Sequence, residues 1–198
     1  MSHAREKLLE AQYFLQCMRE NSSNRAAFKY NLSAFLSAAR SVRWFICKEH
    51  ENKPNFKQWW KSKGQWAGLK NGQELSDITD PVRAANVFFD ERRNITIHDH
   101  SVRPRAHVDL EMNAQSIAIP SIDLVVTRAD GTKERIEADE PKPHAVREHT
   151  DTGPTVGWRW YFEDLPPVVD EKDVVTLSEE HVGRLEAFVS ECESRFAS

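Results

Sequence analysis

Between Asp90 and His100 the sequence runs Asp-Glu-Arg-Arg-Asn-Ile-Thr-Ile-His-Asp-His, the densest polar stretch in the chain. It interrupts a segment in which Val82, Ala85 and Phe89 recur at helical spacing, and polar groups on such a stripe need either a partner or a task. Arg93 carries a planar guanidinium that matches phosphate oxygens, His98 an imidazole that titrates near neutrality, and Asn94 an amide able to orient either. Asn94 and His98 are four positions apart and share a helical face, whereas Arg93 and His98 are five apart, about 140° round an ideal helix. A long arginine side chain, or a helix loosening near its end, must close that gap. With the gap closed, the three groups suit phosphodiester chemistry on RNA. RNA's own 2′-hydroxyl is the nucleophile, so the protein needs only a histidine to move protons and an arginine to stabilise charge on the phosphate, with no metal. The plainer reading pairs Arg93 with Asp90 and leaves His98 at a helix C-terminus, where the helix dipole favours a cation.

Other chemistries find less support. His98, His100, His107 and Asp109 offer nitrogen and oxygen ligands within twelve residues. His-x-His residues diverge on a helix, however, and no Cys ligand or H-E-x-x-H pattern accompanies them, so neither a metal nor a cofactor is expected. Glycine is scarce, at seven residues, and no G-x-G-x-x-G or G-x-x-x-x-G-K-[ST] loop occurs, which excludes the nucleotide folds built on those loops. Cys17, Cys47 and Cys192 form an odd, widely spaced set without a C-x-x-C pair. That suits small buried thiols in a reducing compartment better than a disulfide frame. His144, His149 and His181 read as loop or surface residues.

The elements that must position these groups fall into two kinds. Residues 4 to 20 place Leu8, Leu9, Ala11, Leu15 and Met18 at helical intervals, and the polar run 21 to 24 offers caps for the next helix. From Arg25 to about Glu49, Phe28, Leu32, Phe35, Ala39, Val42 and Ile46 draw one long apolar stripe of the kind found in bundles. Pro54 suits the first position of a shorter third helix bearing Phe56, Trp59 and Trp60, and these tryptophans among lysines read as core packing ahead of base stacking. Asp80-Pro81 starts the fourth helix, which carries Arg93, Asn94 and His98. Beyond about residue 114 the period becomes two. Ile122 to Thr127 and Thr132 to Ala138 predict a hairpin around Asp130-Gly131, residues 139 to 157 a long loop, and Val156 to Phe162 a further strand. Thr176 to Glu179 has capping-box spacing for a last helix with Val182, Leu185, Phe188 or Val189, Cys192 and Phe196 inward. The expected class is α+β: a helical bundle over 1–112, then a β-containing extension with a terminal helix over 113–198.

The chain is long enough for a sizeable core, with 198 residues, 39% of them hydrophobic, ten Phe and six Trp. Its net charge of −4 conceals two halves: 16 Lys+Arg against 11 Asp+Glu in residues 1–100, and 11 against 20 in residues 101–198. A basic first half is compatible with a polyanion. The amino-terminal residues are charged where a signal peptide would be apolar, and no membrane-spanning run occurs, so a cytoplasmic protein without membrane contact is expected.

Arg93-Asn94-Ile95-Thr96-Ile97-His98 resembles the R-x4-H signature of HEPN domains, which sits on a late helix of an up-and-down bundle. The similarity extends to the long second helix with Tyr30 to Arg40, to the Phe56–Trp60 segment and to the approach Phe89 to Asn94, and covers roughly residues 4 to 110. It implies a metal-independent endoribonuclease, in many members a toxin or defence effector, whose Arg and His from two protomers line a cleft at a homodimer interface. Carried over by position, Arg93 would bind the scissile phosphate of RNA, His98 would move the proton and Asn94 would position them. The resemblance also implies a neutralising partner protein. Toxins of this class that are partnered by a nucleotidyltransferase continue the motif to a modifiable tyrosine; here that position is His100. The alternative is a non-catalytic module that keeps the bundle for dimerisation, nucleotide contact or partner binding.

Overall fold

In a computed structural model the described residues are 1–98, 104–111, 124–127, 133–136 and 155–196, with side chains at 93–98, 108–111, 124–127, 133–136 and 155–156 left aside. Helix α1 spans His3–Glu20 and is capped by Ser2, whose hydroxyl accepts from the Arg5 amide at 3.1 Å. After the turn 21–24, Asn24 caps α2, Arg25–His50, by accepting from the Ala27 amide at 3.1 Å. The two stripes close on each other as their spacing predicts. Leu8, Ala11, Leu15 and Met18 are buried on α1, and Phe28, Leu32, Phe35, Ala39, Val42 and Ile46 on α2; Leu9, expected in the α1 stripe, is 47% exposed, one step round the helix from the buried face. The loop is too short for any other arrangement, so α1 and α2 form a helical hairpin.

Helix α3 covers Phe56–Ser62, starting two residues after Pro54 and therefore later than expected. Asn55 adopts φ 63 and its carbonyl accepts from the Trp59 amide at 3.0 Å. An asparagine tolerates the left-handed region, so it, and not the proline, makes the bend that starts the helix. Single helical turns at Gly64–Trp66 and Leu75–Asp77 lead to α4, Pro81–His98, where Asp80 accepts from the Arg83 amide at 2.7 Å. The stripe expected on α4 is only part of the picture. Val82 is 40% exposed, whereas all six residues from Ala84 to Phe89 are buried, so this stretch is surrounded on every side.

The first strand was not foreseen: β1, Arg105–Glu111, lies within the span expected to be helical and pairs with β4, Thr155–Tyr161. Trp160 of β4 stacks on Phe28 at 4.7 Å and donates its indole N–H to the Ser22 carbonyl at 2.8 Å. Phe162 meets Phe88 edge-on at 4.9 Å. Between β1 and β4, the strands β2, Leu124–Thr127, and β3, Lys133–Ile136, pair antiparallel with Leu124 opposite Ile136 and Thr127 opposite Lys133. This register leaves residues 128–132 as the connection; Asp130-Gly131 and the predicted turn type lie outside the described residues.

The last helix, α5, spans Val174–Phe196. Its cap is Asp173, whose Oδ1 accepts from the Val175 and Thr176 amides at 3.0 and 3.1 Å, so Thr176 lies inside the helix and not at its cap. A carboxylate beside these amide donors satisfies two of them at once. Its stripe of Leu185, Phe188, Val189, Cys192 and Phe196 is buried, with Phe188 stacked on both Trp59, at 5.3 Å, and Trp66, at 5.0 Å. These tryptophans are core. Lys63 bonds Glu191 at 2.7 Å over the Trp59 ring.

The class is α+β, but its division differs from the expected one. Helix α5 packs against α1 and α2, inside the core of the bundle and not with the extension. Residues 1–108 with 158–198 make one compact unit and residues 109–157 another. The physical reason is that an amphipathic helix must bury its apolar stripe, and the faces of α1 and α2 receive it. All three cysteines are free thiols; burial holds the Cys192 thiol up at about 12, out of thiolate range.

Candidate functional site

Helix α4 carries Asn86, Asp90, Asn94 and His98 at successive four-residue steps, a polar row along one slowly turning side. Asn86, in the fully surrounded stretch, is 1% exposed. Its amide donates to the Gln65 carbonyl at 3.0 Å, and its Oδ1 accepts from Arg184 Nε at 3.1 Å and lies 3.2 Å from His181 Nδ1. The His181 ring stacks on Phe89 at 4.4 Å and 14°. Burial first, then the nearby Arg184 and Arg43 cations, hold its titration well below the ordinary histidine range. The imidazole is therefore neutral, donating from Nδ1 to Asn86. Sequence alone placed His181 on the surface; it is 2% exposed.

One turn further on, Asp90 pairs with Arg43 of α2, whose guanidinium also donates to the Trp66 carbonyl and lies 5.6 Å from the Trp66 ring centre. Burial draws Arg43 down to about 10, still a cation at neutral pH. Asp90, which the plainer reading paired with Arg93, has Arg43 as its described partner, and the Arg93 side chain lies outside the described ones. Arg92 pairs with Asp164, in the segment after β4, and lies 4.8 Å from the Phe88 ring centre.

Arg93, Asn94 and His98 occupy the last two turns of α4 by backbone, and their side chains lie outside the described ones. The helix runs unbroken through His98. Loosening before the histidine is thus removed as a way to close the 140° offset, leaving side-chain reach or a second copy of the chain. His98 is the last described residue of α4. Of the residues weighed for a metal, only the His107 side chain is described, exposed and edge-on to Tyr161 at 4.8 Å. Among the described residues no cluster of three metal-ligating side chains occurs. Among the described residues, Asn55, Gln58, Trp59, Ser62 and Arg195 line a surface cleft of about 400 Å³.

Comparison with protein-family models, with curated proteins and with solved structures found no match for this chain. The site therefore stands on its geometry. Asn86 Oδ1 joins His181 and Arg184, and Arg43 with Asp90 forms a separate, half-buried ion pair one turn on; both arrangements suit holding α4, and the buried His181 ring does not suit proton exchange with a substrate. Sequence reasoning missed both, although the four-step row Asn86, Asp90, Asn94, His98 through an apolar helix was a legible signal.

Proposed function

We propose that this protein is a metal-independent endoribonuclease of the HEPN kind, cytoplasmic and homodimeric, acting on RNA and held in check by a neutralising partner protein. Arg93 binds the scissile phosphate and His98 moves the proton as the 2′-hydroxyl attacks phosphorus and the 5′-oxygen leaves, giving a 2′,3′-cyclic phosphate. Asn94 positions them. One imidazole cannot act as base and acid in the same step, so a second copy supplying a second histidine fits this chemistry. The observation that carries the reading is the placement of Arg93, Asn94 and His98 on the last two turns of α4, beyond Phe89, the last buried side chain described on that helix.

The test is cleavage of single-stranded RNA by the purified chain in excess EDTA. Activity should persist, follow a bell-shaped pH profile, and fall at least about 100-fold in His98→Ala with an unchanged melting temperature. Arg93→Lys should also be impaired, because an ammonium lacks the planar fork. Wild-type chain that leaves RNA intact would point instead to a non-catalytic bundle, and His98→Ala that cuts it normally would take His98 out of the chemistry.

A further inference from the structure

Apolar anchorage along the described part of α4 ends at Phe89: Ala84 to Phe89 are buried, while Asp90, Glu91 and Arg92 are half-buried. The backbone continues helical to His98. A helix end of that length frays unless tied down. Two charged contacts hold the point of departure, and they come from different elements. Arg43 reaches from α2 to Asp90, and its second nitrogen is fixed on the Trp66 carbonyl. Asp164 reaches from the segment after β4 to Arg92, whose guanidinium already lies over Phe88. Residues 90 and 92 are about 200° apart round the helix, so the grips fall on nearly opposite sides.

We propose that Arg43 and Asp164 are positioning residues, a two-sided charge clamp on Asp90 and Arg92 that fixes the direction of the turns bearing Arg93, Asn94 and His98. The catalytic consequence rests on the RNA-cleaving reading; the clamp itself is two side-chain ion pairs of the fold. Side-chain ends on a helical turn act as a lever, and a displacement of about 1 Å at a reacting centre costs on the order of 100-fold in rate. The Asp164 contact suits positioning more than global stability, because that carboxylate is 56% exposed and such pairs add little to folding.

Amide hydrogen exchange on the full chain, followed residue by residue, tests the clamp without reference to activity. Asp164→Asn and Arg43→Lys should each speed exchange at residues 91–98 about tenfold while the α1 amides keep their wild-type rates, and Asp164→Glu should restore protection. In parallel, Arg43→Lys should lower kcat for RNA cleavage at least about tenfold with KM within about twofold. Wild-type exchange at 91–98 in both variants would overturn the clamp, as would equal acceleration in α1, which signals general loosening. Faster exchange at 91–98 with unaltered kcat in a chain that cuts RNA would overturn the positioning role. If the wild-type chain does not cut RNA, the RNA-cleaving reading fails and the exchange pattern alone decides the clamp.

Discussion

Asn86 and His181 are the side chains whose loss the fold should feel most sharply for their size. Asn86 Oδ1 receives both Arg184 Nε and His181 Nδ1, and Asn86 and His181 are almost fully buried. Asn86→Ala strands two donors and should cost about 2–4 kcal/mol, read as a shift of the urea midpoint. His181 sets a pH dependence of definite sign. Its folded-state titration lies well below the ordinary value because of burial and the Arg184 and Arg43 cations, whereas the unfolded chain's imidazole takes its proton near pH 6.5. Below that pH the unfolded state binds more protons, so His181's contribution to stability is complete above about 6.5 and is lost as the pH falls toward the depressed folded value. The slope should be up to about 1.4 kcal/mol per pH unit. Urea titrations at pH 7 and pH 5 check this: His181→Gln should reduce the difference, and an unreduced difference would assign the dependence to other groups.

At the scale of elements, caps and turns decide where helices begin. Asp173 starts α5 by accepting from two amides and from the Thr176 hydroxyl at 2.5 Å. Asp173→Ala should cost about 1 kcal/mol and lower the melting temperature by about 2–4 °C, whereas Glu179→Ala, the other end of the capping box expected from the sequence, should cost less. Calorimetry of the two variants separates the alternatives. Asn55 at φ 63 offers a second check. Asn55→Gly should be neutral or slightly stabilising and Asn55→Val clearly destabilising, since a β-branched side chain is poorly accommodated in the left-handed region. On α4 the decisive feature is that packing surrounds residues 84–89 on all sides and then gives way to charged contacts at 90 and 92.

For the whole molecule, the core explains which parts are needed for folding. All buried apolar residues of the main cluster lie within 4–89 and 160–196, inside one compact unit. Replacing residues 112–154 by a flexible Gly-Ser linker of about 15 residues should therefore keep a cooperative melt and the helical circular dichroism, because loop closure depends only weakly on loop length. Loss of cooperativity would mean that the second unit contributes to the core. No described helix is long and apolar enough to cross a membrane.

The sequence by itself determined what local periodicity encodes. The long stripe of α2, most of the inward face of α1 and that of α5, a cap for α2 within residues 21–24, the cap Asp80, and a hairpin of residues 122–127 with 132–138 follow from side-chain spacing within a few turns. The types and spacing of Arg93, Asn94 and His98 were legible in the same way. Tertiary structure decided what depends on partners remote in the chain: Arg43 with Asp90 across 47 residues, His181 with Asn86 across 95, and β1 with β4. It also placed α5 in the bundle and His181 in the core. A polar residue's periodicity says which side of a helix it occupies, but whether that side meets water, a ring or a buried amide is set by elements that no local window contains.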